Sequence, residues 1–353
     1  MIVKTRLIVL NFYFFLCVLT YTSLSFENDV VKAILFISKT LTIVLYVIIA
    51  SKIIKRKLFL LSMVSIFLLV FFDQYLIGLI FLINVVIFAY KDLLDCNNLK
   101  WFNRTFTFSI LFVFFLYYLG LLKNVSFYNE AGFSLETRYS FGFFNPNPAS
   151  FLIFSALIVS FYIKDRLFIV INSLVYFITL PYLGSRTYLY LLVFFLPILF
   201  LSRYSFSRNI SNIILSMLLI SVPFIFYFYI GTGDWIIGDL NFDALLSSRL
   251  SLAQAVYIEN DGLSLLPDFS SSTLDPAYFN FIFKLGIVSY YLIVVFIIKS
   301  MFKFSNGGDY SLCLIFLLGC FAENLFTGYV LLPLIAICKF IEFSGQKSEN
   351  PPA

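Results

Sequence analysis

At 353 residues, 61% hydrophobic, 12% charged and +0.97 in mean hydropathy, the chain carries far more apolar surface than a soluble core of this length needs. Its net charge of +5 comes from basic residues spread through short loops, which speaks against a nucleic-acid-binding patch. There is no histidine, which excludes histidine metal sites and histidine-based catalytic triads, and nothing in the chain points to a metal or other cofactor.

Apolar runs of about 15–22 residues recur along the chain, the length a helix needs to cross a hydrocarbon layer of about 30 Å. In hydrocarbon the backbone must bond to itself, and these runs lack the alternation of barrel strands, so helices are the natural element. The pattern predicts an all-α, polytopic integral membrane protein with about twelve spans. They fall roughly at 7–24, 33–51, 58–72, 75–90, 105–122, 149–163, 167–183, 188–202, 210–230, 277–298, 311–322 and 329–341. One integral membrane domain is expected over 1–343, with a disordered cytoplasmic tail over 344–353. The first run follows Lys4 and Arg6 and shows no small-residue cleavage site, so it reads as a retained first helix. Cys17, Cys313, Cys320 and Cys338 fall in apolar runs and Cys96 in a predicted cytoplasmic loop, which favours core packing over a disulfide framework.

Alternate loops sort by charge. One side carries 17 of the 24 basic residues and the other five, Lys32, Lys123, Arg138, Arg186 and Arg249, while Lys39 and Lys284 fall inside spans. The bias towards cytoplasmic Lys and Arg places both termini in the cytoplasm. It leaves two long outer loops, about 123–148 and 231–276. Basic residues retained on the outer side against this bias point to an anion, and in a membrane the expected anion is a phosphate on a lipid or a lipid-linked sugar.

In the first outer loop Arg138 precedes YSFGFFNPNPAS. Pro146 and Pro148 restrict the backbone there, so the segment reads as a rigid turn into the sixth span, with Asn147 either contacting a sugar or capping the helix. At 184–187, Gly-Ser-Arg-Thr is a turn opening a helix. Gly184 permits the turn, while Ser185, Arg186 and Thr187 supply hydroxyls and a forked cation that suit a phosphate; a plain turn with a surface arginine fits equally.

In the second outer loop the spacing predicts an amphipathic helix over 239–259, capped by Asp239. Phe242, Leu245, Leu246, Leu250, Ala253, Val256 and Tyr257 lie on one face and Arg249 near the middle of that face. A guanidinium placed there needs an anion, either a ligand phosphate or a structural carboxylate. Asp275 precedes Pro276 at the start of the tenth span and is either a helix cap or a general base at the lipid–water boundary. Glu323, at the end of the eleventh span, is a second candidate base, and Lys284, two to three turns into the tenth, is placed to snorkel towards the surface.

Taken in order, Arg138 with GFFNPNPAS, GSRT at 184–187, SSRLSLAQAVY around Arg249, and DPAYFNFIFKLGIVSYYL resemble the Wzy-type O-antigen and capsule polysaccharide polymerases, over roughly 138–298. The resemblance implies a metal-independent, cofactor-free glycosyltransferase of the bacterial inner membrane, using undecaprenyl-pyrophosphate-linked glycans as donor and acceptor. Its expected surroundings are the lipid bilayer, a flippase and a chain-length regulator. The family's outer-loop arginines fall on Arg186 and Arg249. O-antigen ligases of the same fold carry a histidine where this chain has Asp275, which favours a polymerase over a ligase. The rival outside this chemistry is a flippase or exporter of the same lipid-linked sugar.

Overall fold

Short polar side chains set where several apolar runs become helices. Asp95 accepts the main-chain N–H groups of Asn97 and Asn98 at 2.8 and 3.0 Å, Asn145 that of Asn147 at 2.8 Å, and Asn306 that of Gly308 at 2.9 Å. Each satisfies donors that the first helical turn leaves open. The computed structural model describes residues 2–51, 74–125, 127–129, 136–225, 236–237, 240–241, 249–266, 277–321, 323, 325 and 330–345. Among these the helices are α1 (Ile2–Leu19), α2 (Ser23–Glu27), α3 (Asp29–Ser51), α4 (Gln74–Leu94), α5 (Cys96–Tyr118), α6 (Pro146–Ile163), α7 (Arg166–Leu183), α8 (Arg186–Leu201), α9 (Ser205–Ile225), α10 (Arg249–Glu259), α11 (Ala277–Met301), α12 (Gly307–Gly319) and α13 (Leu331–Gly345).

Six of these helices are long and apolar enough to cross a membrane: α3, α5, α6, α7, α9 and α11. The fold is that of a helical membrane protein. Eleven of the twelve expected runs coincide with helices, and the run at 58–72 lies outside the described residues.

The departures from expectation have local causes. Helix α5 begins at Cys96 rather than near 105, because the Asp95 cap starts it ahead of the charged stretch. The loops are not purely irregular: strands β1 (Phe127–Asn129) and β2 (Glu136–Arg138) pair antiparallel, as do β3 (Ile236–Ile237) and β4 (Leu240–Asn241). The second hairpin replaces the helix expected over 239–259 at Leu240–Asn241, and its stretch from Arg249 to Glu259 is helical. Leu240 and Asn241 pair with Ile237 and Ile236, and the described helix is α10, with Arg249 on the same face as the buried Ala253 and Val256. Of the expected apolar face, Ala253 and Val256 are buried, while Phe242, Leu245 and Leu246, like the expected cap Asp239, lie outside the described residues. At the other end, α13 runs through Ser344 and Gly345, which the sequence places in a tail.

The chain divides into two compact units, 1–192 with 327–338 and 193–326 with 339–353. In the first, α1 packs on α3 and α5, α5 on α6, and α6 on α7. Helix α6 is buried without interruption from Ala149 to Ser160, and its small residues Ala149, Ser150, Ser155, Ala156 and Ser160 admit close neighbours. Ser160 Oγ accepts from the amides of Asn103 and Asn172, both at 2.8 Å, and Thr107 donates to Asn172 at 3.1 Å, which ties α5, α6 and α7 together inside the apolar layer. Arg6 and Tyr46 both donate to Asp92, at 2.6 and 3.0 Å.

In the second unit α9 packs on α11, and the Tyr290 hydroxyl donates to the Leu219 carbonyl. Tyr310 donates to Asn212 at 3.0 Å, and Lys339 stands 3.4 Å from Asp309. All five cysteines are free thiols, with Cys17, Cys313, Cys320 and Cys338 buried and Cys96 exposed at the start of α5.

Candidate functional site

Two constellations gather the candidate residues, one in each unit. In the first unit α7 ends at Leu183 because Gly184 adopts the left-handed conformation (φ +59°, ψ +23°), its N–H returning to the Leu180 carbonyl at 3.1 Å. Helix α8 starts two residues later, at Arg186. The Gly-Ser-Arg-Thr stretch is therefore a tight turn opening a helix, as its composition predicts. Ser185 is buried, Thr187 half-buried and Arg186 exposed.

Strand β2 brings Arg138 onto this turn. Tyr139 N donates to Tyr182 O at 2.9 Å, and the Arg138 guanidinium donates to Gly184 O. Carbonyls at a helix C-terminus carry partial negative charge, so Arg138 is electrostatically suited to that seat. The strand's exit is fixed in turn by Asn124, whose Oδ1 accepts from Ser140 N at 2.9 Å and Phe141 N at 3.2 Å. Two guanidinium-bearing residues thus attach to one turn: Arg138 through the Gly184 carbonyl and Arg186 through the chain. An exposed guanidinium on the first residue of a helix, beside that helix's open N–H groups, is chemically suited to an oxyanion.

Asn147 is not the capping side chain of α6; that role falls to Asn145, which accepts from the main chain of Asn147. The repeated Asn-Pro pattern makes the two look alike in sequence, but Pro146 occupies the first helical position and so puts the cap one residue before it.

In the second unit Arg249 meets Glu323 at 2.6 Å, with the two side chains 13% and 7% exposed. Glu323 lies just beyond α12, its N–H donating to Gly319 O at 2.9 Å. The main-chain oxygens of Cys320 and Glu323 accept from Ala277 N at 3.1 and 3.2 Å, which joins this turn to the first residue of α11. Asp275, two residues before α11, lies outside the described residues. Of the two anions expected for Arg249, the described one is a carboxylate.

Lys284 does not snorkel to the surface. It is 1% exposed, in the first part of α11, one turn after Asn280, which is fully buried. Immediately beyond it, α11 is interrupted at Gly286 (φ +77°, ψ +163°). Neither Asn280 nor the break is evident in the sequence. A glycine inside an apolar run is the one available signal, and such a glycine is also compatible with an uninterrupted helix. Among the described residues there is no group of three or more metal-ligating side chains.

The chain matches no protein-family model, no curated protein and no solved structure.

Proposed function

We propose that the protein is a polysaccharide polymerase of the bacterial cytoplasmic membrane, with both termini in the cytoplasm and about twelve spans, joining oligosaccharide repeat units carried on undecaprenyl pyrophosphate. In this reading Arg249 binds phosphate oxygens of the donor and stabilises the charge that grows on them as the anomeric C–O bond breaks, and Arg186 binds phosphate of a lipid-linked glycan at the turn it opens. The acceptor sugar hydroxyl attacks the anomeric carbon and forms the new glycosidic bond. Its proton passes to Asp275, or to Glu323 in its place, and the polyprenyl diphosphate departs. No nucleotide sugar is required, because the diphosphate is itself the leaving group.

The observation that carries this reading is the Arg249–Glu323 pair at 2.6 Å. A largely buried guanidinium has a strong requirement for an anion, and a carboxylate is one that a diphosphate can displace. Displacement would hand the charge of Arg249 to the substrate and release Glu323 beside it. Arg138 donates to the Gly184 carbonyl of the turn that presents Arg186, and Arg138, Ser185 and Thr187 are substrate-binding candidates. Lys284 and Asn147 remain substrate-binding candidates from the sequence.

The test is Arg186→Ala and Arg249→Ala in cells. At normal protein levels both variants should leave single repeat units on lipid. Long polymer ladders surviving in both would reject the assignment.

One observation favours a second reading, a flippase or exporter of the same lipid-linked unit. Interrupted membrane helices with buried charge beside the break are a transporter feature, and α11 breaks at Gly286 next to buried Lys284. Deleting the protein separates the two: a missing polymerase leaves surface sugar of one repeat, a missing flippase leaves none. An O-antigen ligase would require the base position at Asp275 to work without the histidine found there in ligases.

A further inference from the structure

The interruption of α11 is filled by another stretch of chain. Breaking a helix at Gly286 frees the N–H groups of the residues that follow, and in hydrocarbon each needs a new acceptor. Ile287 N donates to Ser264 O at 3.0 Å and Val288 N to Leu265 O at 3.4 Å. The approach is close enough that a Cβ at position 286 would lie 2.6 Å from the carbonyl carbon and oxygen of Leu266. The segment after α10 therefore docks against the interrupted helix backbone to backbone.

From these contacts we infer that residues 263–266 are re-entrant: the segment dips into the bilayer beside α11, on the side of that helix's N-terminus, and its leucines lie among lipid acyl chains. Gly286 is nine positions after Ala277, so at 1.5 Å per residue the docking point is about 14 Å along the span, well inside a layer of about 30 Å. The tip also satisfies its own polar groups: Ser264 Oγ donates to Leu266 O at 2.6 Å and accepts from Leu266 N at 3.2 Å. Non-helical backbone at membrane depth requires such closure. Leu265 and Leu266, meanwhile, are 66% and 68% exposed. Two adjacent exposed leucines on a self-closed backbone, at that depth, fit acyl chains as their surroundings. The inference holds whatever the protein's substrate.

Cysteine mapping tests it in the full-length protein, in proteoliposomes, with exposed Cys96 replaced by Ser. Leu266→Cys and Leu265→Cys are compared with Asp261→Cys, an exposed position in the turn that follows α10. A membrane-impermeant maleimide should label Asp261→Cys, with loss of labelling at both leucine positions. An environment-sensitive fluorophore attached at either leucine position in detergent should, after reconstitution, be quenched by lipids brominated along their acyl chains. Maleimide labelling at both leucine positions as fast as at Asp261→Cys, or fluorescence there indifferent to brominated lipid, would overturn it. Having two leucine positions keeps the result decisive if one variant fails to fold.

Discussion

Gly184 and Gly286 both hold positive φ, +59° and +77°, and each lies two residues from a cation, Arg186 and Lys284. They differ in what stands against them. A Cβ at Gly184 would meet the Arg138 side chain, Nε at 3.0 Å and Cγ at 3.1 Å, whereas one at Gly286 would meet main chain at 2.6 Å. Gly184 ends a helix, and a long side chain settles on the exposed carbonyl. Gly286 interrupts a helix, and a second stretch of backbone takes over the freed N–H groups. A flexible neighbour makes the first position tolerant; a rigid one makes the second exacting.

The sharpest way to break this contrast is Gly286→Ala. Its φ/ψ pair lies in a region reserved for glycine, and the added methyl would overlap the Leu266 carbonyl, for a combined cost of roughly 4 kcal/mol. The expected readout is a large fall in the thermal midpoint of the purified protein in detergent. An unchanged midpoint would mean that Leu266 does not hold the break.

The ion pair comes next. Arg249→Met removes the guanidinium from a carboxylate 7% exposed, at a cost of roughly 3 kcal/mol. Adding Glu323→Leu should restore most of the stability but no polymer synthesis, which separates the structural role of the pair from its chemical one. Recovery of synthesis in the double variant would rule out the chemical role.

Gly184→Ala should cost about 1 kcal/mol, the usual penalty of a left-handed backbone, because the Arg138 side chain can give way. A loss as large as that of Gly286→Ala would erase the distinction between the two turns. The smallest effect concerns the neighbouring helix cap: Asn145→Ala should lower stability by about 1 kcal/mol, against about 0.5 kcal/mol or less for Asn147→Ala. Equal losses would undo the assignment of the cap to Asn145.

These positions also show what the sequence can and cannot reveal. The helices were legible because each apolar run is long and continuous, and the turn at 184–187 because Gly, Ser and Arg announce it together. Pairings across the chain were not legible. Charge sorting treats Arg6 and Arg104 as topology signals, yet they sit against Asp92 and Asp165 at 2.6 and 2.9 Å. The apolar surroundings of Arg249 call for an anion, but its partner lies 74 residues away, beyond the reach of local periodicity. Helical spacing over 239–259 failed at Leu240–Asn241 because periodicity does not register a competing hairpin with Ile236–Ile237, and it held over Arg249–Glu259. The break in α11 escaped because its cause, the backbone of Ser264–Leu266, lies in a different segment.

The central claim concerns the reaction, and reconstitution tests it most directly. The purified full-length chain is placed in liposomes with a polyprenyl-pyrophosphate-linked oligosaccharide, and the products are weighed by mass spectrometry. The account predicts lipid-linked chains of several repeats, with one polyprenyl diphosphate released for every bond formed and none of either with Arg249→Ala. Lipid-linked units recovered unchanged, or moved across the bilayer without lengthening, would contradict it.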